Sequence, residues 1–413
     1  MLLKFNPHRA FFLAILFSGF FAYISHSGII AYGPMIIMAA LVVAYEVVGE
    51  KKIATQHLLA SLSWLPYVFL AGFTYISNPF EGRYFSTHLL TIIILPLLVL
   101  SFSKILCGKN NYYNYEFVYK SLFFFVFLQL LVCLGQLSTY TFGMGFPVSE
   151  LYAENGMITG TFTNSNDLSA VTLAIIFFVL GLEKYYFKND KYIIWLAAIA
   201  LLMMTGSRSA IVLAAILFLF SKAASPKKVI VYGLIFSTLF FVVAFVVNNF
   251  ESEALSRGVA RIESLMKIFQ YGVSSDNSMT MRLESYTHFL QELPRLGFGS
   301  GEVNNYFIYS EDASFRGKSL LFQNPHSLVV ELGYWLGWPG LISFFLPLIF
   351  LLPNSKRKLS LVAVFLVVSM IPSSILGSML FFLVLILSFY DYKAHSAYHP
   401  QSSPPRSLST LDL

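Results

Sequence analysis

Residues 191–222 read KYIIWLAAIALLMMTGSRSAIVLAAILFLFSK. Two apolar runs, 192–206 and 209–221, meet at Gly206-Ser207-Arg208 and are closed at their far ends by Lys191 and Lys222. At 1.5 Å rise per residue such runs reach only about 20–22 Å. The hydrocarbon core of a bilayer is ~30 Å thick. The turn is therefore expected at membrane depth, below the outer surface. A guanidinium there costs at least about 2.5–3.5 kcal/mol unless it faces a polar cavity or an anion. Two readings of Arg208 follow: a side chain reaching up to the headgroups, or one lining an outward cavity that takes an anionic ligand.

The hairpin is one part of a longer pattern. With 57% hydrophobic and 12% charged residues, the chain is not a soluble domain. Candidate spans lie at 11–24, 29–49, 55–77, 89–106, 121–141, 168–182, 192–206, 209–221, 229–248, 327–352, 360–371 and 374–390. Most of the 27 Lys and Arg fall in every second gap between them, for example Lys51 and Lys52, Lys104 and Lys109, Lys227 and Lys228, and Lys356, Arg357 and Lys358. The short intervening gaps hold only Arg83 and Arg208; the remaining basic residues lie in one long loop. Short cytoplasmic loops retain positive charge, whereas long loops translocate largely regardless of it. The expected fold class is an all-α polytopic membrane protein of about twelve transmembrane helices with one large extracytoplasmic helical loop. Its parts are an N-terminal set of about nine helices (1–248), a large periplasmic loop (249–326), about three C-terminal helices (327–390), and a cytoplasmic tail (391–413) that is polar and expected to be disordered.

Other classes find little support. The net charge of +6 is accounted for by the inside loops, so nucleic acid is not implied. Cys107 and Cys133 have neither disulfide nor metal spacing. The first apolar run, with no small-residue cleavage site after it, reads as an uncleaved helix. No internal repeat is evident, which counts against a transporter of inverted halves. Glu46, near an inner helix end, reads as the only acidic residue inside a span.

Chemistry concentrates on the outer side. Gly160-Thr161-Phe162-Thr163-Asn164-Ser165-Asn166-Asp167 is a polar run directly before an apolar one. Asn166 or Ser165 can cap the helix that follows, and Asp167 suits the positive end of its dipole. The four side chains Thr161, Thr163, Asn164 and Asn166 also offer a surface for a hydroxyl-rich ligand. In the long loop, 251–271 has helical apolar spacing, and 280–293 repeats it with Tyr286, Phe289 and Leu293. Arg282 shares that apolar face, so it pairs with a loop carboxylate such as Glu302 or Glu311, or with a ligand phosphate. A glycine-rich turn follows at Gly297, Gly299 and Gly301, without the strand and helix of a nucleotide fingerprint. The loop ends at Asn324-Pro325-His326-Ser327. At a helix N-terminus the dipole disfavours imidazolium, so His326 is either a polar tip at headgroup level or a neutral ring able to act as a general base.

Taken in order, five pieces resemble the O-antigen polymerase and O-antigen ligase family of envelope proteins. They are Gly160 to Asn166, Thr205-Gly-Ser-Arg-Ser-Ala210, Arg282 with Pro294 and the Gly297/Gly299/Gly301 turn, Pro325-His326, and the Gly333/Gly337/Gly340 run. The resemblance covers roughly 155–350. One departure is Ser327, where the family often has Asn after the His. The resemblance implies metal-independent transfer of a glycan from undecaprenyl pyrophosphate to an acceptor sugar hydroxyl, at the periplasmic face of the bacterial inner membrane and with no cofactor. It implies Arg208 and Arg282 as holders of the pyrophosphate and His326 as the residue assisting the acceptor; Asn164 and Asn166 of the polar run, and Ser207 beside Arg208, are the further candidate substrate contacts. Planar guanidinium groups suit a pyrophosphate bidentately and would stabilise charge on the leaving group. Expected partners are the undecaprenyl-pyrophosphate-linked oligosaccharide, an acceptor glycan, the lipid bilayer and a chain-length regulator protein. Polymerisation of repeat units is the first reading and ligation to lipid A core the alternative. A polysaccharide transporter or flippase and a non-catalytic scaffold are the readings from other classes: a transporter would bind near the midplane, whereas the charged candidates crowd the outer side, and a scaffold or flippase partner needs neither His326 nor a recessed Arg208.

Overall fold

A computed structural model describes residues 6–25, 28–48, 55–77, 85–106, 111–148, 156–183, 191–222, 277–301, 307–308, 321–322, 327–351, 364–372, 376–389 and a few positions between 267 and 275. The expected span 229–248, the amphipathic stretch 251–271 (apart from its last residues), Cys107, Arg83, Glu302, Glu311, His326 and the tail lie outside these described residues.

The fold is helical: α1 (Pro7–Ser25), α2 (Gly28–Val48), α3 (Thr55–Leu62), α4 (Leu65–Ser77), α5 (Phe85–Leu106), α6 (Asn111–Phe142), α7 (Ser165–Glu183), α8 (Lys191–Thr205), α9 (Arg208–Lys222), α10 (Asn277–Glu292), α11 (Leu328–Leu351) and α12 (Met379–Phe389). A two-residue antiparallel pair, Phe307–Ile308 with Leu321–Phe322, is a small departure from the all-α expectation. Among the described residues five helices are long and apolar enough to cross a membrane: Pro7–Ser25, Ile29–Val48, Leu89–Leu106, Asn114–Phe142 and Leu328–Leu348. The expected span 55–77 is two helices. Pro66 has no N–H to give and stands in the first turn of α4, where none is needed.

Helix ends gather in two sets. At one end His8 on α1 meets Glu46 on α2 at 2.9 Å, and Lys104 on α5 meets the other Glu46 oxygen at 3.1 Å. Glu46 is thus a paired, structural carboxylate. At the other end Tyr23 on α1 donates to the Pro147 carbonyl beyond α6, and Thr161 lies beside Gly19. α7 begins at this second end and α8 finishes there, joined by Ser169 and Thr205 at 2.8 Å.

α11 is broken. Gly337 has φ 62° and ψ −154°, a conformation open essentially to glycine alone. Pro339, just past the break, cannot supply the N–H that the Trp335 carbonyl would take in an unbroken helix. The glycine turn after α10 repairs the ladder. Gly301 N–H donates to the Trp335 carbonyl at 3.0 Å, Ser300 N–H to the Tyr334 carbonyl at 2.7 Å, and Trp338 N–H to the Gly297 carbonyl at 3.0 Å. Irregular backbone at membrane depth is tolerated where protein satisfies it in this way. The two chains approach so closely that a Cβ at Gly337 would stand 2.2 Å from the Gly297 carbonyl oxygen, and one at Gly299 2.6 Å from the Gly337 nitrogen.

Gly337→Ala should therefore cost at least about 1–3 kcal/mol through the strained φ/ψ alone, with the backbone collision added. Gly72→Ala, whose Cβ would meet nothing within 4 Å, is the control and should be neutral or slightly stabilising. Thermal unfolding in detergent compares the two. Equal melting of both variants would mean that the turn is not locked into the break.

Candidate active site

The polar run before α7 is held from α6. Gln136, fully buried, spends its whole amide on main chain: Oε1 accepts from the N–H of Thr159 at 3.1 Å and of Gly160 at 2.9 Å, while Nε2 donates to the carbonyls of Gly160 at 2.9 Å and Pro147 at 3.3 Å. Gln129 treats Thr161 likewise, accepting from its N–H at 3.1 Å and donating to its Oγ1 at 2.6 Å. Gly160 has φ +61°, and a Cβ there would stand 2.5 Å from Gln129 Oε1. Asn164 caps α7, its Oδ1 accepting from Asn166 N–H at 2.9 Å. This corrects the expectation of Asn166 or Ser165 as cap: the accepting side chain stands two residues before the N–H it serves, and α7 starts at Ser165. Asp167 lies in the first turn as expected. Of the four polar side chains, Thr161 and Asn164 are thus used to build the loop. Thr163 is exposed and Asn166 half-buried.

The Ser169–Thr205 bond sets this loop beside the α8–α9 turn. Gly206 takes φ 62°, the buried Ser207 occupies the cap position of α9 through the Ile211 N–H bond to its carbonyl at 3.0 Å, and Arg208 opens the helix half-buried. α8 and α9 are 15 residues each, about 22 Å, and neither is among the helices long enough to cross. Asn164, Asn166, Ser207 and Arg208 therefore share one end of the bundle.

Arg282 stands on a second wall. On α10, Phe289 is buried against Tyr334 with ring centroids 5.2 Å apart, in room that Gly333 leaves. His288 Nδ1 lies 2.9 Å from the Tyr334 hydroxyl, and Trp338 Nε1 donates to the Leu293 carbonyl at 3.0 Å. These contacts ascend both helices in the same sense. Arg282, seven residues before Phe289, is thus about 10 Å back toward the start of α11. It is half-buried on the face that carries buried Ser285 and Phe289, as its spacing requires, while Glu284 is exposed. Burial pushes the Tyr286 phenol up to about 12, against the pull of the Arg282 charge one turn away. The phenol stays neutral and can donate beside the guanidinium.

Residues 192–345 match the O-antigen ligase family. Neither the curated proteins nor the solved structures compared with the chain give a match. The ligase stretch runs from α8 into α11 and contains Ser207, Arg208, Arg282 and His326; Asn164 and Asn166 precede it. Over those residues the chain is thus similar to glycosyl-transferring proteins of the O-antigen ligase type, and its five long apolar helices suit a multi-pass membrane protein.

Within the ligase stretch one residue escaped the sequence reading. Glu331 is fully buried in the first turn of α11, so Glu46 is not the only carboxylate inside a span. Its signal was present as an acidic residue three past Leu328 in an apolar run. Gln129 and Gln136 were missed as well, because an amide inside an apolar helix does not announce which backbone it holds.

Proposed function

We propose that the protein transfers a glycan from an undecaprenyl-pyrophosphate-linked oligosaccharide to an acceptor sugar hydroxyl, at the periplasmic face of the inner membrane and without a metal ion. The observation that carries this reading is Arg208: a half-buried arginine at the tip of a hairpin too short to span, inside the matched stretch and beside a polar loop. The acceptor oxygen forms its bond to the anomeric carbon as the bond from that carbon to the pyrophosphate oxygen breaks. The electron pair leaves with the pyrophosphate, where Arg208 and Arg282 meet the developing charge. His326, the residue before the α11 cap, takes the acceptor proton. Asn164, Asn166 and Ser207 line the glycan path. About twelve spans divided at 248, 326 and 390, with a chain-length regulator as partner, complete the reading.

Polymerisation of repeat units is the first form of the activity. The description of the matched family favours the second, ligation to lipid A core. The envelope glycan of a null mutant tests both. Single repeats on the core mean polymerase, and long polymer left on the carrier means ligase. An unchanged glycan would overturn the proposal.

A further inference from the structure

α11 is a ruler for the chain that packs on it. Trp338 is the middle residue of Leu328–Leu348, the stretch of α11 long and apolar enough to cross a membrane, about 15 Å from either end. Along α10, His288 and Phe289 meet Tyr334, and Leu293 then meets Trp338, whose indole N–H donates to its carbonyl. The chain goes no deeper. The Gly297 carbonyl accepts from Trp338 N–H, but Ser300 and Gly301 already donate to the carbonyls of Tyr334 and Trp335, back toward the start of α11. The segment therefore enters and leaves on one side, and its deepest point is the middle of a membrane helix.

The surface of α10 divides three ways. One side, with Ser285 and Phe289, is buried. Met279, Leu283 and Leu290, at four- and seven-residue steps, form a second. Leu283 is 56% and Leu290 64% exposed. Leu290 stands one turn before Leu293, and so beside Trp338, which opens the exposed stripe Trp338, Ile342 and Leu346 of α11. That stripe belongs to a crossing helix and faces lipid; the α10 leucines continue it. Exposed apolar surface joined in this way marks a membrane contact. Glu284, Thr287, Gln291 and, just past the helix end, Arg295 form the third side, all exposed. Charge at this depth is costly unless water reaches it, and a polar stripe separate from the apolar one gives water a path.

We propose that α10 and the glycine turn form a re-entrant loop within the half of the bilayer where α11 begins. Met279, Leu283 and Leu290 lie against lipid chains, and Glu284, Thr287, Gln291 and Arg295 line a water-filled cleft. The stretch 249–326 is then not wholly periplasmic. Non-helical backbone at that depth is stable here because the turn and the α11 break satisfy each other. The loop requires only that α11 crosses the membrane, and it holds whatever group the protein transfers.

The test places single cysteines for nitroxide labelling in the full-length protein, reconstituted in vesicles of phosphatidylethanolamine and phosphatidylglycerol, with the unsubstituted chain as background. Collisions with oxygen, which concentrates in lipid, and with a water-soluble nickel chelate are measured at each site. L283C and L290C should be relaxed mainly by oxygen, and T287C and Q291C mainly by nickel, so that the ratio inverts between adjacent residues 290 and 291. Nickel dominating at all four sites puts α10 in the aqueous phase and overturns the proposal. Oxygen dominating at all four removes the cleft and overturns it too, as does weak relaxation by both agents at 283 and 290, which would mean that protein covers that face. Should a label prevent reconstitution, L290D and Q291D decide by thermal melting in the same vesicles, since they put one substituent on neighbouring residues. L290D should melt lower and Q291D close to wild type, because a carboxylate is costly in lipid and not in water. Equal melting of the two would overturn the proposal.

Discussion

His326→Ala is expected to abolish detectable glycan product while the protein still folds and inserts. A general base contributes typically about 10²–10⁴-fold to a step in which a proton leaves the attacking hydroxyl. A sugar hydroxyl is a poor nucleophile until that proton goes. One polar residue ahead of a helix cap contributes little to the stability of a bundle whose core is built from buried Phe, Leu and Ile. His326→Gln separates the two roles the ring could have. Its amide both donates and accepts, so it can position an acceptor, but it does not take up the proton. Turnover of the Ala and Gln variants, followed over about pH 6–9 with a lipid-linked donor, distinguishes them. If Gln matches wild type at every pH, His326 only orients the acceptor.

Arg208→Lys comes next in expected effect. The charge stays, and the opening turn of α9 has no reason to unfold, because Ser207 still occupies its cap position. What is lost is the planar fork. A guanidinium bonds two phosphate oxygens at once, whereas an ammonium is a point charge with no such geometry. Loss of a preorganised donor at developing charge costs about 10²–10³-fold in other transfer reactions, and a loss of that size is expected here with normal protein levels. Wild-type glycan from the Lys variant would assign Arg208 to the headgroups. Arg282→Lys should fall in the same direction. A normal product from it would place Arg282 in a structural pair of the long loop.

The sequence made the helices legible because the bilayer imposes a length and a polarity that can be read residue by residue. The shortness of α8 and α9, the half-buried Arg208 and the shared face of Arg282 and Phe289 all follow from spacing alone. What escaped it depends on contacts between distant segments. No local signal says that Gln136 closes on the backbone of Thr159 and Gly160, or that the glycines at 297, 299 and 301 supply the bonds that Gly337 and Pro339 take away. The same limit hid the cap: three adjacent polar residues could each end a helix, and only the fold chooses Asn164. Glu331 was a different kind of miss. It stood in plain view in an apolar run, and its meaning came from full burial.

The low height of the α8–α9 hairpin reaches beyond the protein itself. Its flanks carry exposed apolar side chains, Ile193, Leu196, Val212 and Ile216, that stop some 8 Å short of a normal hydrocarbon slab. α6, at 32 residues, is by contrast longer than the slab is thick. Lipid beside the hairpin must thin to match it, at a cost of a fraction of a kcal/mol per Å, whereas lipid beside α6 need not. The bilayer around this molecule is therefore uneven, with its shallowest shore next to Arg208. On the proposed reading, a long-chain carrier in the membrane would have the least depth for its polar head to travel there.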